Sequence, residues 1–225
     1  MKIRVKTAVV VLSCLCVFMY GCSPNVTGKG NPLNEKTEET PYKPQLLRKG
    51  QVHSLGEMAP LEDPTIQNPK AIGAECTVKT AQLFETPEAA GISEEQVKTD
   101  GEIHYDIKTE RPTDLDVSKA QFLLCDLKFK NINMRLDDLS ITQMTLVYLT
   151  PDTEELKRVG FPVYFSESID LNGPKYYDFE LPAGESKDMK VGWLVDLEEC
   201  KKENLYLMYN YNGEEKIQES WALGL

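Results

Sequence analysis

The chain has 225 residues, of which 41% are hydrophobic and 27% charged, and a formal net charge of −11 at pH 7. This length suits one globular domain with an additional segment. The acidic charge argues against a nucleic-acid partner, because the phosphate backbone would repel the chain.

The first 22 residues are typical of an exported protein. Three basic residues within the first six precede an uncharged apolar run from residue 7 to 20. This is the layout of a signal peptide, and the run is too short for a membrane-spanning helix. The run closes on Gly21 and Cys22, and this ending resembles the lipobox of bacterial lipoproteins.

The lipobox resemblance implies that the chain is cut before Cys22 and that its thiol carries a diacylglyceryl group. Two acyl chains give stable anchoring, whereas one is marginal. We therefore expect the membrane to be a partner through Cys22, with the protein on the outer face of the bacterial cytoplasmic membrane. Plain secretion with an incidental cysteine is the alternative.

The segment after Cys22 is predicted to be a flexible tether. Residues 23 to 70 hold seven of the 13 prolines and few aromatic residues, so they bury too little apolar surface to offset the entropy of ordering. We predict a signal peptide at 1–21, a lipidated cysteine and disordered tether at 22–70, and a folded domain at 71–225. Scattered apolar residues between 45 and 63 leave open that part of the tether docks on the domain.

The folded part is predicted to consist of strands. From residue 74 onward, apolar and polar residues alternate with period 2, and turn residues separate the runs. Strands are predicted at 74–85, 102–109, 121–131, 140–150, 175–181, 187–197 and 204–223, and one helical turn at 93–97. The last strand segment is broken by Asn212 and Gly213, a hairpin signal. The fold class is therefore all-β, with spacings that suit an antiparallel sandwich.

Three stretches carry a resemblance to a known family: "FLLCDLKFKNINMRLDDLSITQMTLVYLT", "FELPAGESKDMKVGWLVDLEE" and "LYLMYNYNG". They resemble the immunoglobulin-like extracellular domains of Gram-positive lipoproteins, most of which are domains of unknown function and share architecture with a secreted mycobacterial antigen. The resemblance covers residues 74 to 223 and implies a single immunoglobulin-like antiparallel β-sandwich at the cell surface. It implies no established catalytic residue.

Three cysteines, Cys76, Cys125 and Cys200, lie in the predicted domain. In an exported protein this odd number permits one disulfide and one thiol, or three free thiols in a reducing setting. Cys125 lies on the apolar face of its strand and is predicted to be a core thiol. Cys76 and Cys200 are the candidates for a disulfide.

Aromatic residues of the later strands form the candidate binding face: Tyr176, Tyr177, Trp193, Tyr206, Tyr209 and Tyr211. Exposed tyrosines on a sheet can stack on sugars or anchor a protein interface. The alternative is that cross-strand aromatic pairs stabilise the sandwich.

Catalytic and metal motifs are missing from the sequence. The histidines are His53 and His104, neither has a nucleophile frame around it, and His104 with Asp106 is predicted to be a pair on the surface of one strand. Acidic clusters lie at 114–116, 135–139, 151–156 and 196–199, and none matches a calcium loop. We predict solvated turns there, no metal site, no cofactor and no enzyme; calcium binding by these loops stays open.

The function expected from location and fold is binding without catalysis. The domain would bind a protein, a peptide or a cell-wall glycan polymer outside the membrane. The alternatives are a structural or immunity-type envelope protein, or a hydrolase or transporter accessory whose site is built from dispersed carboxylates.

Overall fold

The described part of the chain forms two β-sheets. The computed structural model describes residues 45–62, 72–98, 104–135, 139–170, 173–212 and 217–225, all within the compact unit Tyr42–Leu225. The strands are β1 (Gln45–Leu46), β2 (Val52–His53), β3 (Met58–Glu62), β4 (Ile72–Phe84), β5 (His104–Tyr105), β6 (Pro112–Thr113), β7 (Ala120–Asn131), β8 (Met144–Leu149), β9 (Glu155–Gly160), β10 (Tyr164–Phe165), β11 (Ser186–Asp196), β12 (Leu205–Tyr209) and β13 (Glu219–Ala222).

The strands pair almost entirely antiparallel. Sheet A has the order β2-β13-β12-β8-β9-β5-β6, with β1 also paired to β9, and sheet B has the order β10-β11-β7-β4-β3. Only β2 and β13 run parallel among the described pairs. The described ranges contain no α-helix, only 3-10 turns of three residues. One of these turns, Glu94–Gln96, lies where the sequence predicted a helical turn, and it begins at Ser93 with a capping box.

The strand order is that of an immunoglobulin sandwich. With β4, β7, β8, β9, β10, β11, β12 and β13 lettered A, B, C, C′, D, E, F and G, sheet B reads DEBA and sheet A reads GFCC′. Antibody domains join strands B and F with a disulfide. Here β7 carries Cys125 but β12 has no cysteine, so packing alone joins the two sheets at this position.

The main core lies between the two sheets. Its buried members include Cys76, Leu127 and Trp193 from sheet B, and Leu146, Leu207 and Trp221 from sheet A. Alternation places a smaller apolar cluster on the outer face of each sheet, around Phe122 on sheet B and Val147 on sheet A. Both sheets are therefore partly covered on both faces.

Residues 45–62, which the sequence analysis placed in the tether, supply β1, β2 and β3. Ala59 and Leu61 of β3 have no exposed surface, and β3 pairs with β4 along five residues. The domain boundary predicted at residue 71 therefore leaves out three strands of the sandwich. The predicted signal peptide, Cys22 and the first part of the tether lie outside the described residues.

No helix in the described ranges has the length and apolar character needed to cross a membrane.

Candidate functional site

A half-buried arginine surrounded by aromatic rings lies where β9 meets the chain that follows β12. The guanidinium of Arg158 lies 4.7 Å from the ring centroid of Tyr105 and 5.3 Å from that of Tyr211. The ring centroid of Phe161 is 5.9 Å away. Arg158 also donates hydrogen bonds of 2.9 Å to the hydroxyl of Tyr105 and to Oδ1 of Asn212. We call these five residues the arginine cluster.

Three separate segments bring the arginine cluster together. Tyr105 belongs to the short strand β5, and Arg158 to β9, which pairs with both β5 and β8. Tyr211 and Asn212 follow β12, where Asn210 adopts the left-handed region with φ 58°. Asparagine tolerates this conformation better than most residues, and the chain there turns back over β9.

A network of ion pairs supports the arginine cluster from one side. Nζ of Lys157 lies 3.3 Å from Oε2 of Glu110 and 2.9 Å from Oε2 of Glu155. The hydroxyl of Tyr211 lies 3.0 Å from Oε1 of Glu110 and 3.1 Å from the carbonyl of Leu156. The side chain of Lys157 is only 11% exposed. Because it is largely desolvated, removing either carboxylate would cost more than breaking an exposed surface pair.

The chemistry of the arginine cluster suits binding. A guanidinium over aromatic rings gains about 0.5–2 kcal/mol from each good cation–π contact, and the hydrogen bonds of Arg158 to Tyr105 and Asn212 fix the plane of its guanidinium. Arginine is always protonated in proteins and so does not transfer protons. Arginine and tyrosine are also the residues that most often anchor protein interfaces. Asn212 is exposed and Arg158, Tyr105 and Phe161 are half-buried, so a partner can reach the cluster.

Sequence reasoning missed the arginine cluster because it missed β9. Lys157 lies opposite Tyr148, a main-core residue of β8, and therefore on the core side of the sheet. Its neighbour Leu156 is buried on the outer side. A charged residue on the core side and an apolar residue on the outer side are the reverse of the usual strand pattern. The predicted acidic turn at 151–156 consequently ends in the first two residues of β9.

The predicted aromatic binding face is not an exposed surface. Four of its members are buried: Tyr176, Trp193, Tyr209 and Tyr211. The other two, Tyr177 and Tyr206, are half-buried. The hydroxyl of Tyr209 donates a 3.0 Å hydrogen bond to the carbonyl of Glu62, and Trp193 lies in the main core. The prediction of a tyrosine face is therefore wrong, and the alternative of aromatic packing within the sandwich agrees with the burial. Tyr211 alone of the six joins the arginine cluster.

The predicted disulfide between Cys76 and Cys200 is excluded by the register of sheet B. Cys76 lies opposite Phe129 of β7, while Asp196 lies opposite Ala120 of the same strand. These two positions on β7 are about 30 Å apart, at about 3.3 Å per residue. The amide of Cys200 bonds the carbonyl of Asp196 at 2.9 Å. The two cysteines thus lie near opposite ends of the sheet, and a disulfide needs Cα atoms within about 7 Å.

All three cysteines of the domain are free and buried. Desolvation raises the pKa of Cys76 and of Cys200 to about 12. It also raises the pKa of Cys125, and the carboxylate of Asp126 acts in the same direction. Thiols in this state are poor nucleophiles, and the prediction of a core thiol at Cys125 is confirmed.

The two histidines lie in different surroundings. Nε2 of His53 lies 2.7 Å from Oε2 of Glu219, and its ring centroid is 5.5 Å from that of Trp221. His104 is only 3% exposed, so the prediction of a surface pair with Asp106 is wrong. Asp106 instead accepts hydrogen bonds from the amides of the turn that follows it.

In two of the predicted acidic clusters, a carboxylate accepts hydrogen bonds from its own turn. Oδ1 of Asp116 accepts from the amide and hydroxyl of Ser118, and the side-chain bond to Ser118 lowers the pKa of Asp116. Oδ1 of Asp196 accepts from the amide of Glu198 at 2.8 Å. Within the described ranges, no three His, Cys, Asp or Glu side chains are grouped to hold a metal ion.

Residues 67–225 match a protein-family model described as a domain of unknown function, DUF5027. The chain belongs to the DUF5027 family. The match to DUF5027 includes β4 to β13 and therefore every residue of the arginine cluster. Strands β1 to β3 lie before the matched DUF5027 region.

A solved structure described as an uncharacterized beta-sandwich protein from Clostridium difficile 630 is similar to this DUF5027 chain. The match covers 80% of this chain and 97% of that one, with 15% sequence identity and a TM-score of 0.36. No curated protein matches the sequence.

Proposed function

We propose that this DUF5027 protein is an exported bacterial lipoprotein that binds a partner outside the cytoplasmic membrane without catalysis. The export and anchoring part of the proposal rests on the sequence: a basic start, an uncharged apolar run and the Gly21–Cys22 ending. The diacylglyceryl group on Cys22 holds the chain at the Gram-positive cell surface. The partner is a protein, a peptide or a cell-wall polymer.

The observation that carries the binding role is the arginine cluster. It joins one permanent cation, Arg158, to three aromatic rings at a position that solvent reaches. Its neighbouring charges are already paired, so a partner meets a fixed polar and aromatic surface and little ordering entropy is lost. These properties favour recognition over turnover.

Lipid anchoring is tested by intact mass of the protein from its native membrane fraction, beside a Cys22→Ala variant. The proposal expects a chain that begins at Cys22 with a diacylglyceryl group, and a variant that lacks both the cut and the group. An unlipidated chain in the medium would contradict anchoring. The binding experiment would then be done with the secreted protein.

Binding at the arginine cluster is tested by photo-crosslinking in the cells that make the protein. A photoreactive residue replaces Lys108, which is exposed and lies in the turn between Tyr105 and Glu110. We expect a discrete crosslinked species that Arg158→Ala removes. Lys128→Ala is the matched control, because it deletes one exposed positive charge on β7 of the other sheet. A species equally abundant in both variants would place the binding surface elsewhere, and measurable turnover abolished by one substitution would replace binding by catalysis.

A further inference from the structure

Along one edge of β4, only the first half is paired with another described strand. On one side, β4 pairs with β7 as far as Phe84. On the other side, β3 pairs with β4 only from Ile72 to Thr77, and the amide of Gly56 then bonds the carbonyl of Val78 at 2.8 Å. From Lys79 to Phe84, no described strand pairs with this edge. The edge therefore presents backbone donors and acceptors for a further strand.

The side chains along this edge are more apolar than an exposed edge usually carries. Ala81 and Leu83 are half-buried and pack against the main core. Phe84 is half-buried against the outer cluster of sheet B. An open groove of about 460 Å³ lies beside them, lined by Ala81, Gln82, Leu83, Phe84, Lys202 and Leu225. An added strand can thus place its side chains in the groove while its backbone bonds the edge.

We propose that this edge binds the same edge of a second copy of the chain, antiparallel about a two-fold axis at Gln82. The facing pairs are then Lys79 with Glu85, Thr80 with Phe84, Ala81 with Leu83, and Gln82 with itself. Opposite charges and matched apolar side chains directly across an antiparallel pair are stabilising. Because the axis is two-fold, each of these pairs except Gln82 with itself occurs twice.

Charge and polarity select this register over its neighbours. An axis at Ala81 sets Lys79 opposite Leu83, and an axis at Leu83 sets Glu85 opposite Ala81. Each of these arrangements places a charge against an apolar side chain. Only the axis at Gln82 brings Lys79 and Glu85 together. Lysine on an exposed edge normally disfavours pairing with unrelated strands. Here Lys79 has that effect and, opposite Glu85 of the second copy, also favours this register.

Lys79 and Glu85 flank the regular part of this edge: Lys79 lies where the register of β4 with β7 shifts, between Val78 and Thr80, and Glu85 follows the last residue of β4. Glu85 is exposed. The ion pair of Lys79 with Asp188 measures 3.2 Å, but the two side chains are 45% and 66% exposed, so it contributes little and is easily exchanged. Pairing would form about four to six backbone hydrogen bonds and join two five-stranded sheets into one.

Disulfide trapping in the full chain tests the pairing. Facing Cα atoms in an antiparallel pair lie about 4.5–5.5 Å apart, within the span of a disulfide, so Gln82→Cys in native membranes should form a covalent dimer under mild oxidation. Lys128→Cys, exposed on β7, should not exceed the background of the unmodified chain. The cysteines of the domain are buried and do not compete. Equal yields from the two variants would overturn the proposal.

Charge reversal tests the register and separates a second copy from another partner. In the Gln82→Cys chain, Lys79→Glu alone or Glu85→Lys alone sets like charges opposite each other in two places, and we expect about five- to tenfold less dimer. The double reversal should restore it. A double variant as poor as the single variants would overturn the register. A crosslink from Gln82→Cys to a different protein, in place of the dimer, would overturn the second copy as the occupant.

Discussion

Asn131, at the end of β7, holds together a loop and a turn that are distant in sequence. Its side chain is fully buried. Nδ2 donates to the carbonyls of Met134 and Leu181 at 3.0 and 2.7 Å, and Oδ1 accepts from the amide of Met134 at 2.7 Å. Its carbonyl accepts from the amide of Gly184, whose φ of 87° suits the turn. Two of the stretches that carry the family resemblance, the first at its "KN" and the second at its "PAGES", are therefore joined by one residue.

Asn131→Ala should be strongly destabilising. The substitution leaves one amide and two carbonyls without their hydrogen-bond partner at a fully buried position. Each unsatisfied group costs about 1–3 kcal/mol of stability. We expect the free energy of unfolding to fall by about 3 kcal/mol or more in urea titrations. Asn133→Ala removes the same side chain from an exposed position two residues on and should change stability by less than about 0.5 kcal/mol. Similar losses in the two variants would contradict the bonding role of Asn131.

Most of the longer strands were predictable from sequence, whereas the two-residue strands and β9, which carries Lys157 on its core side, were not. β4, β7, β8 and β11 lie where alternation placed them, and β12 pairs with β13 as the hairpin signal indicated. Residues 102–103 of the strand predicted at 102–109 lie outside the described residues, and from residue 104 onward the strand is limited to β5, because Asp106 accepts two amides of a following turn. The stretch predicted as a strand at 175–181 is a series of turns with one isolated bridge from Ser140 to Asp178. The side-chain bonds of Asp106 and the backbone turn bonds before Asp178 both compete with strand pairing, and neither leaves a periodic signal.

Gly192 of β11 shows how the packing of two strands fixes a residue type. A Cβ built there would lie 2.3 Å from Cζ of Phe122, a fully buried ring on the neighbouring strand β7. Gly192→Ala therefore requires the ring or the strand to move, and overpacking of this kind costs about 1–3 kcal/mol. Thermal unfolding should show a lower Tm. Gly50→Ala is the comparison, because nothing lies within 4 Å of its Cβ position; an equal decrease there would refute the packing explanation.

At the scale of the whole molecule, the sheets were easier to predict than the surface they present. The all-β sandwich and its buried thiol at Cys125 follow from alternation along single strands. The arginine cluster requires three segments to meet, from residue 105, residues 158–161 and residues 211–212, and no local pattern encodes that meeting. The wrong prediction of a tyrosine face has the same origin, because burial of Tyr209 and Trp193 depends on the opposite sheet.

The burial of His104 should make the stability of the molecule depend on pH. Desolvation lowers the pKa of His104 in the folded chain, although the carboxylates of Asp196 and Asp106 act in the opposite direction. Nδ1 of His104 is buried and has no hydrogen-bond partner among the described residues. The unfolded chain therefore binds a proton near the usual pKa of about 6.5, before the folded chain does. Stability is retained above that pH and falls as the pH is lowered through it.

Between about pH 7 and pH 5, we expect the free energy of unfolding to decrease by up to about 1.4 kcal/mol per pH unit on account of this one group. His104→Gln removes the titration and should flatten the profile obtained from urea titrations at each pH. His53→Gln is the matched control, because it removes the other histidine of the domain and leaves the contribution of His104 in place. The carboxylate of Asp116, whose pKa is lowered by its hydrogen bond from Ser118, protonates in a more acidic range and affects all three chains equally. The stability profiles of the parent chain and of His104→Gln would contradict this explanation if they ran parallel across this range. His104 would then be protonated as readily in the folded chain as in the unfolded chain, and burial would not govern its charge.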